Sequence, residues 1–382
     1  MHMIIGVPKE IKASEYRVAL TPAGAAMLKA AGHEVVVQSG AGSGSSFADD
    51  AYADEGAVIV GEAKDVWARA DMIMKVKEPL PEEFGFFREG LLLFTYLHLA
   101  AAPELTKALL DARVSGVAYE TIQAANGSLP LLTPMSEVAG RMAVQVGSQF
   151  LEAFYGGRGI LLGGVPGVPP AEVIILGGGI VGTNAARIAL GMGASVVILE
   201  RSAERMRYLD ELFGGRIRTL MSNAYNIANA VKKADLLIGA VLIPGARAPH
   251  LVTEDMVKTM KKGAVIVDVA VDQGGTIATI DRVTTHKDPV YEKHGVLHYA
   301  VANMPGAVPR TSTLALTNVT MPYALELAGK GLEEAVRHHE ALRKGVNTYK
   351  GRITHPQVAE SVGMPHVGLE QLLQSIPFEK LN

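Results

Sequence analysis

Residues 171–205 read AEVIILGGGIVGTNAARIALGMGASVVILERSAER, and this stretch decides the architecture. It opens on an apolar β-type run, Val173-Ile174-Ile175-Leu176, followed by Gly177, Gly179 and Gly182 in the spacing G-x-G-x-x-G. A helical run from about Asn184 to Met192 comes next, and a second apolar run, Val196 to Leu199, ends at Glu200. Strand, glycine turn, helix, strand and acid is the order that a dinucleotide needs. Gly177 permits the tight turn, Gly179 lets the backbone approach a pyrophosphate, and Gly182 lets helix and strand pack closely. The helix N-terminus then offers its unpaired N–H groups and positive dipole end to the phosphates. A carboxylate at Glu200 would accept hydrogen bonds from the adenosine ribose and repel a 2′-phosphate, which favours NAD over NADP. Arg201 and Arg205 pull the other way, because an arginine there accommodates that phosphate.

The chain has 382 residues, a length that suggests two domains. Hydrophobic residues at 48% supply ample material for two cores, and a net charge of −3 gives no general attraction for nucleic acid or anionic membrane. Cysteine is absent, which removes disulfides, thiolate catalysis and cysteine metal sites together. The start, MHMIIGVPKEIK, lacks the apolar core and small-residue cleavage site of a secretory signal, and runs such as Leu91 to Phe94 are far short of a membrane span. A cytoplasmic protein is expected. No internal repeat is visible.

Outward from the central stretch, strands and helices alternate, so an α/β fold with mostly parallel sheets is expected. Met3 to Val7, Val35 to Val37, Ala57 to Val60, Met72 to Val76, Leu91 to Leu99 and Val117 to Tyr119 read as strands. The last of these ends at Glu120. Thr21-Pro22 resembles an N-cap with proline at the first helical position. The charges Lys9, Glu10, Lys12, Glu15 and Arg17 read, for the most part, as a solvated loop. Gly40 to Gly44 reads as a turn. Lys75 interrupts an apolar strand, and His98, near the end of LLLFTYLHL, reads by default as a hydrogen-bonded core histidine. Met135 to Ala153 and Leu314 to Leu327 read as two long helices joining the domains, and Gly156 to Pro170 as a loop. Beyond Glu200, strands at Leu236 to Leu242, Ala264 to Val271 and His298 to Ala302 each end in polar or turn residues. Ligand crevices in open parallel sheets lie beyond such carboxyl ends. The remainder to Asn382 reads as helical, packing back on the first domain, with His338-His339 on a solvated helix face. No dense metal-ligand pattern appears.

Taken together, GVPKE, YRVALTPAG, KVKEP, LFTYLHLA, LLTPMSEVAGR, GGVPGVPPAEVIILGGGIVG, VDVAVDQGG and VANMPGAVPRTST resemble the alanine dehydrogenase / pyridine nucleotide transhydrogenase family, and its L-alanine dehydrogenases in particular. The resemblance runs through essentially the whole chain. It implies two Rossmann-like domains, with 1–133 plus 308–382 as a discontinuous substrate domain and 134–307 binding NAD. It implies reversible conversion of L-alanine, NAD and water to pyruvate, ammonium and NADH, by a homohexamer; the two-domain layout in turn predicts a cleft that closes over substrate. Carried over residue by residue, Arg17 and Lys77 hold the substrate, His98 is the general acid/base and Asp272 the second catalytic residue. On the cofactor side it points to Ser136, Ile180, Val181, Glu200, Arg205, Ser222, Val241, Leu242, Arg282, the run Val269, Ala270, Val271 and Asp272, and the run Val301, Ala302, Asn303 and Met304, besides the three glycines. These roles make chemical sense. A guanidinium grips a carboxylate with a two-pronged hydrogen bond, and a histidine gives and takes protons near neutral pH.

Family members often carry aspartate where this chain has Glu200. In some relatives a glutamate and a histidine one helical turn apart bind magnesium. The matching positions here are Glu326 and Lys330, and a lysine repels the ion, so no metal is expected there. The alternative reading is a dinucleotide-binding subunit of a transhydrogenase-type membrane complex, which would bind NADH without turning over an amino acid. An opine- or saccharopine-type dehydrogenase is a third.

Overall fold

Two mostly parallel sheets carry the chain. The computed structural model describes residues 1–241, 249–271 and 274–374. Contacts divide them into two compact units, Met1–Met135 with the segment from Val308 onward, and Ser136–Ala307.

The first unit holds β1 (Ile4–Val7), β2 (Glu34–Gln38), β3 (Val58–Val60), β4 (Met72–Met74), β5 (Leu92–Thr95) and β6 (Ser115–Ala118). The second holds β7 (Glu172–Leu176), β8 (Ser195–Glu200), β9 (Arg218–Met221), β10 (Leu236–Gly239), β11 (Val265–Asp268), β12 (Val290–Lys293) and β13 (Val296–Tyr299). After β13 the chain returns to the first unit with β14 (Val346–Tyr349) and β15 (Arg352–Ile353). The first sheet runs β15-β14-β6-β5-β4-β1-β2-β3 and the second β12-β13-β11-β10-β7-β8-β9.

Within these orders lies one shared pattern. From each unit's first strand the chain winds outward to one edge, then restarts beside that first strand and winds the other way. This is the doubly wound order of dinucleotide-binding sheets. The sequence shows no repeat, yet both halves adopt it. The reversals fall between β1 and β4 and between β7 and β10.

The elements follow from local chemistry. The strands are runs such as Val35-Val36-Val37 and Val173 to Leu176, buried on both faces because helices cover both. Helix Pro22–Ala30 starts at Thr21, whose hydroxyl accepts the Gly24 N–H at 3.1 Å. The single tryptophan, Trp67, is fully buried in the first core and stacks on Phe86.

The structure corrects several boundaries. Helix Ile180–Gly191 begins directly after Gly179, four residues earlier than its apolar pattern suggests. The strands expected at Leu236 to Leu242 and Ala264 to Val271 end at Gly239 and Asp268, because the ladder against β7 stops at Leu176, where the glycine turn begins. The strand expected from His298 lies slightly earlier, at Val296–Tyr299. The C-terminal remainder is not all helix. β14 pairs antiparallel with β6 and with β15. The long helices Thr133–Phe150 and Pro309–Lys330 start where the units change over.

β14 joins its neighbour through an irregular register between Val346 and Thr348. There the Thr348 hydroxyl accepts the Gly116 N–H at 3.0 Å and donates to the Val114 carbonyl at 3.0 Å. Thr348→Val keeps the shape and orphans both buried groups, so an unfolding cost of about 1–3 kcal/mol is expected from denaturant titration.

Candidate active site

The crevice of the first unit lies beyond the carboxyl ends of β1 and β4, where the strand order reverses. The segment after β1 carries Glu10, Glu15 and Arg17, and the segment after β4 carries Lys75, Lys77 and Glu78. Most of these charges are not solvated. Pro8 to Arg17 is a loop, but Glu10, Glu15 and Arg17 are buried, with Arg17 only 2% exposed, so the solvated reading fails for these three charges. A charge removed from water needs a partner, and each has one. Arg17 donates from Nε to Glu15 Oε1 at 2.7 Å and from Nη2 to Glu15 Oε2 at 2.6 Å, while Nη1 meets the Met135 sulfur at 3.1 Å. Lys75 sits between Glu10 at 3.1 Å and Glu83 at 3.0 Å. Glu10 Oε1 also accepts the Val76 N–H at 2.6 Å, which ties the β1 loop to the end of β4.

The Arg17 fork is therefore partly used within the protein, since its Nε–Nη2 edge faces Glu15. Burial alone would raise the Glu15 carboxyl, but the hydrogen bonds and charge of Arg17 outweigh it and hold it below the usual carboxylate range. Lys77 is half-buried in the same cluster. Burial and the charges of Arg17 and Lys12 push its ammonium below the ordinary lysine range, against the pull of Glu78 and Glu15. Glu78 bonds Lys12 and lies within electrostatic reach of His98. Arg17, Lys77 and His98 thus border one acidic and basic cluster.

His98 is not a core histidine. β5 ends at Thr95, and His98 lies in the turn that follows, exposed between buried Leu97 and Leu99. Its backbone is left-handed, φ 50° and ψ 35°, and its ring stacks on Tyr96 with centroids 5.9 Å apart. His298 is a core histidine instead: it meets the Thr279 hydroxyl at 2.8 Å and is pushed down to about 4 by burial.

In the second unit the reversal between β7 and β10 places the glycine turn beside Val241. Gly177 has φ 95°, a conformation that L side chains resist. A Cβ on Gly182 would lie 1.9 Å from the Gly177 carbonyl, whereas one on Gly179 would meet nothing within 4 Å. Helix and strand therefore touch at Gly182, and the space over Gly179 is open. Ile180 and Val181 begin the helix behind it. Glu200 ends β8; its Oε2 accepts the Gly178 N–H at 2.8 Å and its Oε1 the Arg201 and Ser202 N–H groups. Arg205 donates from Nε to the Gly178 carbonyl at 2.6 Å and from Nη2 to Thr183 at 3.0 Å. The acid and the arginine that pull nucleotide preference in opposite directions thus grip the same turn.

Ser222 follows β9, and its N–H bonds the Glu200 carbonyl. Ser136 stands one helical turn before Gly140, which packs on Val181. Val269 leaves β11 with its N–H on the Gly239 carbonyl; Ala270 and Val271 follow, both buried. Val301, Ala302, Asn303 and Met304 follow β13, three strands from β7, with Asn303 left-handed at φ 58°. Arg282 stacks on Tyr291 of β12 at the far edge of the sheet. Leu242 and Asp272 lie outside the described residues. Glu326 is held by Lys330 at 3.1 Å and by His339 at 2.6 Å, so His339 is half-buried rather than solvated. Among the described residues no group of three or more histidine, aspartate or glutamate side chains gathers as for a metal ion.

Glu10, Glu15, Lys75, Glu78 and Glu83 were not singled out by sequence reading as parts of a site. The signal for Lys75 was available: a lysine inside the apolar run Met72 to Val76 must find buried acids.

A doubly wound sheet with this glycine turn and acid, in one chain with a second sheet whose crevice gathers cations beside a histidine, defines a pyridine-nucleotide-linked oxidoreductase. The chain belongs to the alanine dehydrogenase/PNT family: the models of that family's N-terminal and C-terminal domains match residues 6–139 and 143–356. It is 62% identical over 371 residues to an alanine dehydrogenase of Methanococcus maripaludis, spanning 97% of this chain and 100% of that one. A solved L-alanine dehydrogenase matches with TM-score 0.92 and 54% identity, covering 94% of this chain and 99% of that one. A transhydrogenase from Sinorhizobium meliloti matches more distantly, with TM-score 0.80 and 26% identity over 92% of this chain and 99% of that one.

Gly182→Ala should lower thermal stability, because its Cβ collides with backbone, whereas Gly179→Ala should fold normally and weaken NADH binding in a fluorescence titration. Removing the charge of Glu15 takes a carboxylate away from the buried Arg17 guanidinium, so Glu15→Gln should cost about 3–5 kcal/mol at neutral pH. Because the Glu15 carboxyl is held below its ordinary value of 4.5, its contribution is complete above that pH and lost as pH falls through the lower, folded value. The stability gap between wild type and Glu15→Gln should therefore shrink below about pH 4.5 in denaturant titrations across pH.

Proposed function

We propose that this chain catalyses the reversible oxidative deamination of L-alanine to pyruvate and ammonium, using NAD. The observation that carries the substrate reading is the placing of Arg17 and Lys77 together at the β1/β4 crevice, with His98 after the neighbouring strand β5. The relatives named alanine dehydrogenase support it at high identity.

Arg17 and Lys77 hold the carboxylate and keto or amino end of the substrate, two cations against one small anion. When bound, the nicotinamide would accept the Cα hydrogen with its electron pair. Loss of that hydride and of a proton from the amino group leaves a C=N bond. Water adds to its carbon, and the carbinolamine breaks its C–N bond to give the ketone and ammonia. His98 takes the proton from the adding water and returns one to the departing nitrogen. Its exposed place in the turn leaves the ring accessible to a substrate. Asp272 is proposed as the second catalytic residue, orienting the ammonium and the water.

Ser136, the glycine turn, Ile180, Val181, Glu200, Arg205, Ser222, Val241, Leu242, Arg282 and the runs 269–272 and 301–304 are proposed to hold the cofactor. The contacts of Arg205 with the glycine turn support NAD over NADP, since its guanidinium is engaged by the loop rather than directed at a 2′-phosphate. Residues 1–133 with 308–382 are proposed as the substrate domain and 134–307 as the NAD domain. A cytoplasmic homohexamer is proposed from the resemblance; exposed Phe154, Leu161, Val165 and Val168 offer it apolar surface. No helix among the described residues is long and apolar enough to cross a membrane.

A screen of small amino acids and 2-oxo acids with NAD and NADP tests the reading. Alanine-dependent NADH formation at alkaline pH, without partner chains, is the expected result. NADH binding with no amino-acid turnover would favour the transhydrogenase-type reading instead. His98→Ala should abolish turnover and leave NADH binding intact; loss of NADH binding would make the histidine structural.

A further inference from the structure

We propose that Glu120 is a positioning residue that holds His98 in its reactive setting, an inference that rests on the acid/base role of His98 proposed above. Glu120 follows β6, next to β5 in the first sheet. Its carboxylate turns toward the neighbouring loop. Oε1 accepts the His98 N–H at 2.6 Å, and both oxygens accept the Leu97 N–H at 3.2 Å. Two successive backbone N–H groups thus converge on one carboxylate, a small anion nest.

The consequence falls on the backbone of His98. A non-glycine residue at φ 50° is strained and keeps that conformation only where its surroundings impose it. Continued as a strand past Thr95, in a sheet covered on both faces, the chain would bury His98; the left-handed turn instead leaves it exposed between buried Leu97 and Leu99. The nest fixes this turn from the N–H side, and the Ala101 N–H closes it on the His98 carbonyl at 3.0 Å.

Glu120 is itself held from a distant part of the chain. The next residue, Thr121, donates its hydroxyl to Asn347 Oδ1 at 2.8 Å, and Asn347 lies in β14. The returning C-terminal segment thus braces the short turn Tyr119–Thr121, that turn aims the carboxylate, and the carboxylate sets the histidine. Glu120 touches the loop backbone, so its role is exerted through His98.

The test compares Glu120→Ala, Glu120→Gln and His98→Ala in pyruvate reduction, with NADH affinity measured by fluorescence. A displacement of a reacting group by about 1 Å costs on the order of a hundredfold in rate. A fall of that order in kcat is therefore expected for Glu120→Ala, and a smaller fall for Glu120→Gln, which keeps one acceptor oxygen. KM for pyruvate and the NADH dissociation constant should stay within about threefold of wild type, because the substrate cations and the glycine turn are untouched. A crystal structure of Glu120→Ala should show residue 98 leaving the left-handed region. Folded Glu120→Ala with wild-type kcat overturns the proposal, and so does a loss of NADH affinity parallel to the loss of kcat. If Glu120→Ala does not fold, Glu120→Gln decides: reduced kcat at unchanged KM supports the proposal, and unchanged kcat overturns it. Turnover retained in His98→Ala would instead overturn the acid/base reading on which it rests.

Discussion

Charge that leaves water must be answered by charge or hydrogen bond, and at the end of β1 this chain removes three such groups from solvent within eight residues. Glu10, Glu15 and Arg17 are accommodated because the segment after β4 brings Lys75 and the Val76 N–H, and a short turn brings Glu83. Glu15 closes on Arg17 within the same loop. These pairings fix the two segments that flank the first crevice. An apolar replacement of the same shape could stabilise the fold as well; it could not hold a guanidinium and an ammonium beside each other, which is what a small anionic substrate requires.

The two sheets put the same topology to different chemical use. In the second unit the reversal between β7 and β10 faces main-chain N–H groups and an open space over Gly179, the surface proposed to take the phosphates. In the first unit the equivalent reversal between β1 and β4 faces charged side chains instead. Backbone donors suit a ligand whose phosphates approach closely and recur in many proteins. Side-chain cations of adjustable reach suit one small carboxylate. The shared winding order positions both crevices, and the residues at the strand ends decide what each receives.

Much of this was legible in the sequence. The strand, glycine spacing and terminal acid of residues 171–205 gave β7, the turn and β8, because each glycine answers a local steric demand that the letters state. Short segments were less legible. Val346 to Tyr349 is only four residues among helices, and its strand character comes from pairing with β6, more than two hundred residues earlier. His98 looked like a core residue because an apolar run surrounds it; only the left-handed turn after Thr95 exposes it.

Local pattern therefore determined the fold class, the glycine turn, the first helix cap and the family, since these depend on periodicity, spacing and steric need over a few residues. Tertiary structure alone decided which charges are buried and with whom, where parallel strands stop, and which histidine is neutral in a core. Those outcomes depend on partners that reach the site from distant points of the chain: Lys75 to Glu10, Glu120 to His98, β14 to β6. Burial and pairing are properties of a neighbourhood in space, and a one-dimensional pattern does not contain that neighbourhood.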